Sequence, residues 1–342
     1  MKSESTSIQR ALIVYVEFRD SRVDGEYSEF CQLVNSTGLE VIGTITATRL
    51  RAEPKFFVGK GKASEIKEIA KKLNTDVVIF NRYLAPAQER NLERFLNIRV
   101  VDRIGLILDI FAQRALSYEG KLQVELAQLQ HLTTRLIRGW THLERQKGGI
   151  GLRGPGETQL ESDRRLIGNR IKAIKQRLQK VRRQRCQSRQ QRKKKDIPVI
   201  SFVGYTNAGK STLFNYLTKE NVFVKNQLFA TLETTMRKVN LNKFHIILSD
   251  TVGFISNLPT ELIISFQTTL EEINFSDYMI HVIDISNSNW ENQKQIVTNT
   301  LKDILKENYN EKKIIEVWNK SDLLNEEKNI YYKNIIKRKR DA

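Results

Sequence analysis

The feature that most constrains the fold is an apolar run followed by a glycine-rich octapeptide and a helix-forming segment. The stretch reads PVISFVGYTNAGKSTLFNYL, and residues 204–211 within it match the spacing G-x-x-x-x-G-K-S. Between a buried strand and a helix, such a loop wraps phosphate groups with its backbone N–H groups. The sequence therefore predicts a phosphate-binding α/β domain in which Lys210 reaches the β- and γ-phosphates and the Ser211 hydroxyl binds Mg²⁺.

A second motif indicates which base the domain binds. Residues 319–322 read NKSD and follow the strand-like segment KIIEVW, about 110 residues after the phosphate loop. A carboxylate at Asp322 accepts hydrogen bonds from N1–H and the N2 amino group of guanine, whereas adenine presents the opposite polarity at N1 and leaves the acid unpaired. Lys320 is expected to lie along the plane of the base. The two motifs at this spacing predict binding of GTP and GDP.

Two shorter segments between these motifs supply the expected switch residues. Residues 250–254 read DTVGF after a strand-like run, so Asp250 suits an outer-shell carboxylate for Mg²⁺. The N–H of Gly253 is expected to contact the γ-phosphate and so to sense its hydrolysis. In FATLETT, residues 229–235, Thr231 is the expected second Mg²⁺ ligand.

The residue after the switch glycine predicts slow intrinsic turnover. Phe254 stands where Ras-like enzymes have a glutamine that orients the attacking water, and a phenyl ring cannot do so. His245 is a poor substitute, since a lone histidine on a strand is more often packed than catalytic. Asn207 occupies the position that helps hold K⁺ in several potassium-stimulated GTPases, where a monovalent cation stabilises the developing charge. K⁺ is therefore an additional candidate cofactor.

The expected site is assembled from four segments of the second half of the chain. Lys210, Thr231 and Gly253 are the predicted catalytic residues, and Ser211 and Thr231 are the predicted metal ligands. The predicted nucleotide contacts come from the phosphate loop, both switch segments and the base motif: Gly204, Tyr205, Thr206, Asn207, Ala208, Gly209, Lys210, Ser211, Phe229, Ala230, Thr231, Leu232, Glu233, Asp250, Thr251, Val252, Gly253, Asn319, Lys320, Ser321 and Asp322. The cofactors expected from this set are GTP or GDP with Mg²⁺.

The first part of the chain has a separate α/β pattern. Residues 8–115 alternate short β-branched runs with helix-like segments. The runs ALIVYVEF, EVIGTIT, DVVIF and IRVVD read as strands, and the segments ASEIKEIAKKL, PAQERNLERFL and GLILDIFAQRAL read as helices. This alternation predicts an α/β domain with a largely parallel sheet.

A helical hairpin is predicted between the two α/β patterns. Apolar residues recur at heptad spacing twice, and the two seams are Leu122, Leu126, Leu129, Thr133, Leu136, Trp140 and Leu143, then Ile167, Ile171, Ile174, Leu178 and Val181. The glycine-rich loop between them, with its tip at residues 148–157, predicts an antiparallel turn. Arms of about 25 to 35 residues extend about 40 to 50 Å. A hairpin packed flat on the protein remains open as the alternative.

The charge of the second arm predicts a polyanionic partner. The chain carries 57 Lys and Arg against 39 Asp and Glu, a net charge of +18. Residues 164–195 contain fifteen Lys or Arg and no Asp or Glu. Like charges on one helix repel unless an external polyanion compensates them, so this arm is predicted to face nucleic-acid phosphates. An anionic membrane surface explains neither the glycine tip nor the base motif.

Composition and motif placement indicate the cellular compartment and the number of domains. Cys31 and Cys186 are too few for a disulfide framework, the N-terminus is polar, and no apolar run reaches the length of a membrane span. These features predict a soluble cytoplasmic protein without a membrane span. The expected division is an α/β domain at 1–115, a basic helical hairpin at 116–196 and a phosphate-loop G domain at 197–342.

Several segments together resemble one protein family. These are GGIGLRGPGETQLESDRR, FFVGKGKASEI and EGKLQVELAQLQHL, with the GYTNAGKST, FATLE, DTVGF and NKSD set. Across residues 56–322 the chain resembles the HflX ribosome-associated GTPases. The resemblance implies a cytosolic GTPase that binds the large ribosomal subunit and its rRNA and separates the subunits of stalled or idle ribosomes, notably under heat stress. It also implies Mg²⁺ ligands at Ser211 and Thr231 and a hairpin tip that reaches toward the peptidyl-transferase centre. A monomer is expected.

The chain departs from the family pattern in two places. Residues 233–235 read ETT where the family usually has DPT, and no fifth guanine motif is recognisable after Asp322, so the C-terminus is interpreted as shortened. Family members have also been linked to ATP at the VGKGK loop, residues 58–62, where the plain alternative is a βα turn with exposed lysines. Two functions from different classes remain open. One is GTP hydrolysis coupled to ribosome binding, and the other is a nucleotide-independent rRNA-binding and anti-association module with a degenerate G domain.

Overall fold

A computed structural model shows two compact units. It describes residues 9–19, 25–144, 155–194, 197–219, 228–232, 234–241, 244–256, 272–309 and 313–340. The first unit is formed mainly by residues 1–185 and the second mainly by residues 186–342. Among the described helices, none is both long enough and apolar enough to cross a lipid bilayer.

The first unit contains a four-stranded parallel sheet with the strand order β2-β1-β3-β4. Its elements are β1 (Arg10–Phe18), α1 (Glu26–Asn35), β2 (Glu40–Arg49), α2 (Lys60–Lys72), β3 (Val77–Phe80), α3 (Pro86–Leu96), β4 (Arg99–Val101) and α4 (Arg103–Arg114). This confirms the predicted α/β class. Helix α1, with the sequence EYSEFCQLVN, was not predicted, although Phe30, Leu33 and Val34 recur at helical spacing; all three are fully buried.

Two long helices form the predicted antiparallel hairpin, α5 (Tyr118–Glu144) and α6 (Pro155–Lys194). Their seam buries an apolar cluster formed by Leu122, Leu126, Ile174 and Leu178, with Leu129 and Ile171 beside it. Ion pairs flank the seam, because Arg170 lies 2.6 Å from Glu125 and Arg185 lies 2.6 Å from Glu119. Glu119, early in α5, pairs with Arg185, late in α6, whereas Glu125, later in α5, pairs with Arg170, earlier in α6. The pairing is therefore antiparallel.

The second arm is longer than predicted. Helix α6 has 40 residues, which corresponds to about 60 Å of helix. It begins at Pro155, a residue favoured at the first helical position because its missing N–H needs no partner there. Residues 155–157, predicted as part of the glycine-rich tip, are therefore helical. The rest of the tip, residues 148–154, and the side chains of Leu136, Trp140 and Leu143 lie outside the described residues.

The first arm packs on the parallel sheet's own helices. Arg135 of α5 donates to the Asp102 carboxylate at 2.9 Å and also pairs with Glu89 of α3. Asp102 is buried, caps the first turn of α4 through the N–H of Gly105, and has its pKa raised by burial. Removal of Arg135 would leave a buried carboxylate without its cation, which is costly. Up to residue 135, the first arm is therefore docked on α3 and α4.

The second unit contains a five-stranded sheet with the order β6-β7-β5-β8-β9. Its elements are β5 (Val199–Gly204), α7 (Lys210–Thr218), β6 (Thr235–Leu241), β7 (Phe244–Asp250), β8 (Tyr278–Asp284), α8 (Trp290–Leu305), β9 (Lys313–Asn319) and α9 (Glu326–Arg340). All neighbours are parallel except β6, which runs antiparallel to β7. Phe202, Phe214, Leu248 and Val282 form its central apolar cluster. This confirms the predicted phosphate-loop fold.

The last turns of α6 belong to this second unit. The Arg189 guanidinium lies 3.2 Å from the Glu272 carboxylate and 4.1 Å from the centre of the Phe275 ring. Asp277 is tied to the start of β5, because its Oδ2 accepts from Val199 N at 2.7 Å. The basic helix therefore ends on the same corner that anchors the strand leading to the phosphate loop.

A buried histidine is expected to make the second unit sensitive to acid. His281 lies on β8 with 4% of its surface exposed, and burial lowers its pKa to about 4 from 6.5, although Glu316 on β9 opposes this. The unfolded chain binds a proton at His281 more readily than the folded chain does. Protonation therefore does not reduce the free energy of unfolding above pH 6.5, and the reduction grows as the pH falls from 6.5 to 4. We expect this loss to approach roughly 3 kcal/mol.

Chemical denaturation of the parent and His281→Gln at several pH values checks this expectation. The variant should lose less unfolding free energy than the parent between pH 7 and pH 4.5, whatever its stability at pH 7. Equal losses in the two proteins would show that another group is responsible.

Candidate active site

The phosphate loop leaves the carboxyl end of β5, which lies between β7 and β8 in the sheet. Asn207 and Gly209 both adopt left-handed backbone angles, with φ of 61° and 96°, and α7 begins directly after them at Lys210. Asparagine and glycine are the residues that tolerate this conformation best. At Gly209 a side chain would also collide with the Asn319 amide. The loop is therefore closed in a shape that directs backbone N–H groups and a helix start toward one small space.

Lys210 places a positive charge at the floor of that space. Its side chain is 6% exposed, and its Nζ donates to the carbonyl oxygens of Tyr205 at 2.8 Å and Gly204 at 3.2 Å. Burial lowers its pKa to about 8, while the negative charge of Asp250 opposes that shift. Burial disfavours the charged form of this lysine, so an incoming anion that adds countercharge is favoured there.

Three oxygen-bearing side chains converge next to Lys210. The Ser211 hydroxyl lies 2.7 Å from the Thr231 hydroxyl and donates to Asp250 Oδ2 at 2.6 Å; Thr231 donates to the same oxygen at 3.1 Å. Asp250 is fully buried, and burial raises its pKa. Its Oδ1 is also buried and has no hydrogen-bond partner among the described residues. Hydroxyl and carboxylate oxygens are the ligands that Mg²⁺ prefers, so the donor set fits this ion.

The second switch segment lies directly against the phosphate loop. A Cβ added to Gly253 would lie 2.8 Å from the Thr206 methyl group and 3.1 Å from Lys210 Nζ, so only glycine allows this approach. The next residue, Phe254, is 3% exposed and turned into the core. Its ring therefore carries no group toward a water at the site.

Most of the predicted phosphate and switch residues line one small cavity of about 50 Å³. Its lining is Thr206, Asn207, Gly209, Lys210, Ser211, Thr212, Phe229, Ala230, Thr231, Thr251 and Gly253. Sequence reasoning missed Thr212, although it directly follows Ser211. The side chains of Tyr205, Leu232 and Val252 are buried instead of lining the cavity, and Glu233 lies outside the described residues.

The base motif is connected to the phosphate loop, although it does not line this cavity. Asn319 donates to the Ala208 carbonyl at 2.9 Å, and Lys320 pairs with Asp284 at 2.7 Å. Asp322 is exposed on a short 3₁₀ turn directly after β9, as is Ser321. Asp284, at the end of β8, was not predicted; the signal for it was an acidic residue directly after the strand-like run YMIHVI.

The loop at residues 58–62 has a defined conformation, and part of its positive charge is neutralised by an acidic neighbour. Gly59 (φ 84°) precedes α2, and the Arg49 guanidinium donates to the Val58 carbonyl there. Lys62 pairs with Glu65 of the same helix at 2.8 Å. These contacts are what a βα turn with surface lysines would show.

Comparisons with known proteins agree along most of the chain. Three family models match, described as "GTP-binding GTPase N-terminal" over residues 24–112, "GTP-binding GTPase Middle Region" over residues 114–192 and "50S ribosome-binding GTPase" over residues 199–320. The GTPase HflX of Escherichia coli is 52% identical over 317 residues, which cover 92% of this chain and 74% of that protein. The GTPase HflX of Magnetococcus marinus is 47% identical over 300 residues, which cover 86% of this chain and 68% of that protein.

A solved structure resembles both units. The crystal structure of SsGBP in complex with GDP has a TM-score of 0.55 and 28% sequence identity, and the match covers 95% of this chain and 86% of that one. In that protein the nucleotide is GDP, the product expected of a GTPase.

Proposed function

Because the chain belongs to the HflX family of GTPases, which bind GTP and hydrolyse it to GDP and phosphate, we propose that it couples this hydrolysis to the large ribosomal subunit. The proposed outcome is separation of the subunits of stalled or idle ribosomes in the cytoplasm, notably under stress. Its proposed partner is 50S rRNA, and it acts as a monomer. The single observation that carries the proposal is the excess of positive charge in residues 164–195, which hold fifteen Lys or Arg and no Asp or Glu.

In the proposed site, each segment has one task. Lys210 and the N–H groups of residues 204–211 hold the phosphates, and the Gly253 N–H contacts the terminal one. Ser211 and Thr231 would hold Mg²⁺, with Asp250 behind them; when bound, this ion neutralises the charge that develops on the phosphate oxygens. The closeness of these three oxygen donors supports the assignment.

The base motif completes the proposed binding site. Asp322 reads guanine from its exposed position, and Asn319 ties the base-binding segment to the phosphate loop through Ala208. Asn207, with its left-handed backbone at the loop tip, is the proposed K⁺ ligand. Equal hydrolysis rates in K⁺ and Na⁺ with ribosomes present would remove K⁺ from this proposal. ATP at residues 58–62 has less support, because Lys62 already has an acidic partner.

The proposed division of labour follows three segments, 1–115, 116–196 and 197–342. The middle segment presents exposed cations along α6, among them Lys172, Lys175 and Arg183. When such a surface binds a nucleic acid, its cations displace counterions from the phosphate backbone. The salt dependence of the affinity increases with the number of counterions released. In the third segment, the buried Phe254 supplies no group that orients water, so we propose slow intrinsic turnover that the ribosome accelerates. The alternative of a nucleotide-independent module has less support, because the residues proposed for the phosphates, the metal and the base are present in the chain.

Salt dependence of ribosome binding tests the proposal. We expect Lys172→Ala, Lys175→Ala and Arg183→Ala together to weaken binding to 50S subunits. The log–log slope of affinity against salt should also flatten by about 0.7 to 0.9 for each phosphate group that is no longer neutralised. GTP hydrolysis without ribosomes should not change. As a matched control, Lys71→Ala, Lys72→Ala and Arg94→Ala remove three exposed charges from α2 and α3. An equal effect of both triple variants would mean that net charge, and not the α6 surface, determines binding.

Substitutions at the tip separate binding from subunit splitting. Glycine lets the backbone approach RNA closely because no Cβ intervenes, and Arg153 can stack on a base or pair with phosphate. Leucine at Gly149, Gly151 and Gly154 should therefore preserve GTP binding and most of the affinity for 50S subunits, yet abolish splitting of 70S ribosomes. Normal splitting by this variant would reduce the tip to a linker.

A further inference from the structure

Backbone hydrogen bonds fasten the second switch segment to the phosphate loop. Phe254 N donates to the Gly204 carbonyl at 3.1 Å, and Thr206 N donates to the Phe254 carbonyl at 2.7 Å. The two chains thus form one isolated parallel bridge, centred on Tyr205 and Phe254. This bridge brings Gly253 against Thr206 and Lys210.

The Tyr205 side chain adds a further hydrogen bond to the second switch segment, two residues beyond Phe254. The Tyr205 hydroxyl accepts the N–H of Ser256 at 2.8 Å, and Tyr205 is only 5% exposed. The same residue's carbonyl accepts Lys210 Nζ at 2.8 Å and the N–H of Ala208 at 3.3 Å. Tyr205 therefore connects the lysine, the turn of the loop and the start of the second switch segment.

We infer that the Tyr205 hydroxyl is a positioning group that holds the Gly253 N–H ready for the terminal phosphate by fixing Ser256 three residues downstream. The inference rests on the proposed placement of that phosphate between Lys210 and Gly253. A donor that is already oriented stabilises developing charge without reorganising during the reaction, which is the efficient form of electrostatic catalysis. The Tyr205 side chain touches no reacting atom, because its ring is buried outside the cavity lining.

This role predicts an effect on the reaction and not on ground-state binding. GDP has no terminal phosphate, so its affinity does not depend on the Gly253 N–H. GDP with aluminium fluoride imitates the transferring phosphoryl group and does depend on it. Tyr205→Phe removes only the hydroxyl and keeps the buried ring.

The test uses the full chain and compares Tyr205→Phe with Tyr216→Phe, the same change at an 81% exposed position on α7. In Tyr205→Phe we expect the single-turnover rate and the affinity for GDP–aluminium fluoride to fall about tenfold. GDP affinity should stay within about twofold, and Tyr216→Phe should match the parent in all three measurements. An unchanged rate, or GDP affinity that falls by the same factor as the rate, would overturn the inference.

Hydrogen exchange provides a second measurement if Tyr205→Phe does not fold. In the nucleotide-free parent chain, the amide of Ser256 should exchange slowly, because its N–H is held by the Tyr205 hydroxyl. Exchange as fast as that of an exposed loop amide would overturn the inference without any variant. None of these readouts involves ribosomes, so a failure of the proposed ribosomal role leaves them intact. A parent chain without GDP affinity would instead contradict the proposed nucleotide site.

Discussion

Asp322→Asn is expected to lower GTP affinity by several kcal/mol and to create affinity for xanthosine triphosphate. An amide at this position can donate to the carbonyl group of xanthine, but it loses the two hydrogen bonds that a carboxylate accepts from guanine. Asp322 is exposed on the turn after β9, so its replacement should leave the nucleotide-free fold unchanged. Calorimetric titration with GTP and with xanthosine triphosphate measures both affinities.

A neighbouring acid provides the matched control for this change. Glu326 begins α9, is exposed, and lies four residues after Asp322, so Glu326→Gln removes the same charge beside the base site. It should preserve the preference of the parent chain for GTP. Unchanged GTP affinity in Asp322→Asn, or an equal loss in Glu326→Gln, would mean that Asp322 does not read the base.

Ser211→Ala is expected to reduce GTP hydrolysis by about a hundredfold or more. The Ser211 hydroxyl lies within hydrogen-bond distance of both Thr231 and Asp250, and it is a proposed Mg²⁺ ligand. Loss of the ion's charge stabilisation removes several kcal/mol from the transition state, and each 1.4 kcal/mol corresponds to about a tenfold change in rate. Single-turnover hydrolysis at several Mg²⁺ concentrations measures the loss and shows whether excess metal restores the rate.

Ser211→Thr is the control for that variant, because it keeps a hydroxyl at the same position. We expect it to retain most of the activity of the parent. Both variants should bind 50S subunits through α6 with the parent's salt dependence, since the exposed cations are untouched. Hydrolysis by Ser211→Ala at the parent rate would exclude this hydroxyl as a metal ligand.

Local patterns were sufficient to predict most of the secondary structure, and motif spacing nominated the candidate site residues. Strands such as VVIF, residues 77–80, are apolar throughout because they are buried on both faces. The helix predicted at PAQERNLERFL coincides with α3, since Pro86 begins it and its apolar spacing continues to Leu96. Helix α1 was missed although its apolar residues recur at helical spacing, because the segment is short and begins after Gly25 without a capping side chain; its Phe30 and Leu33 are core residues.

By itself, the sequence determined the two α/β patterns, the hairpin seam and the types of residue at the nucleotide site, because periodicity and motif spacing are local properties of a chain. Tertiary structure alone decided how distant residues meet. It set the 2.7 Å distance between the Thr231 and Ser211 hydroxyls, joined Arg135 to Asp102, and left Phe254 buried. The Tyr205 hydroxyl reaches Ser256 for the same reason. Such contacts depend on how packing places strands and loops that are far apart in the chain. The residue pattern within one segment does not specify its distance from the other segment.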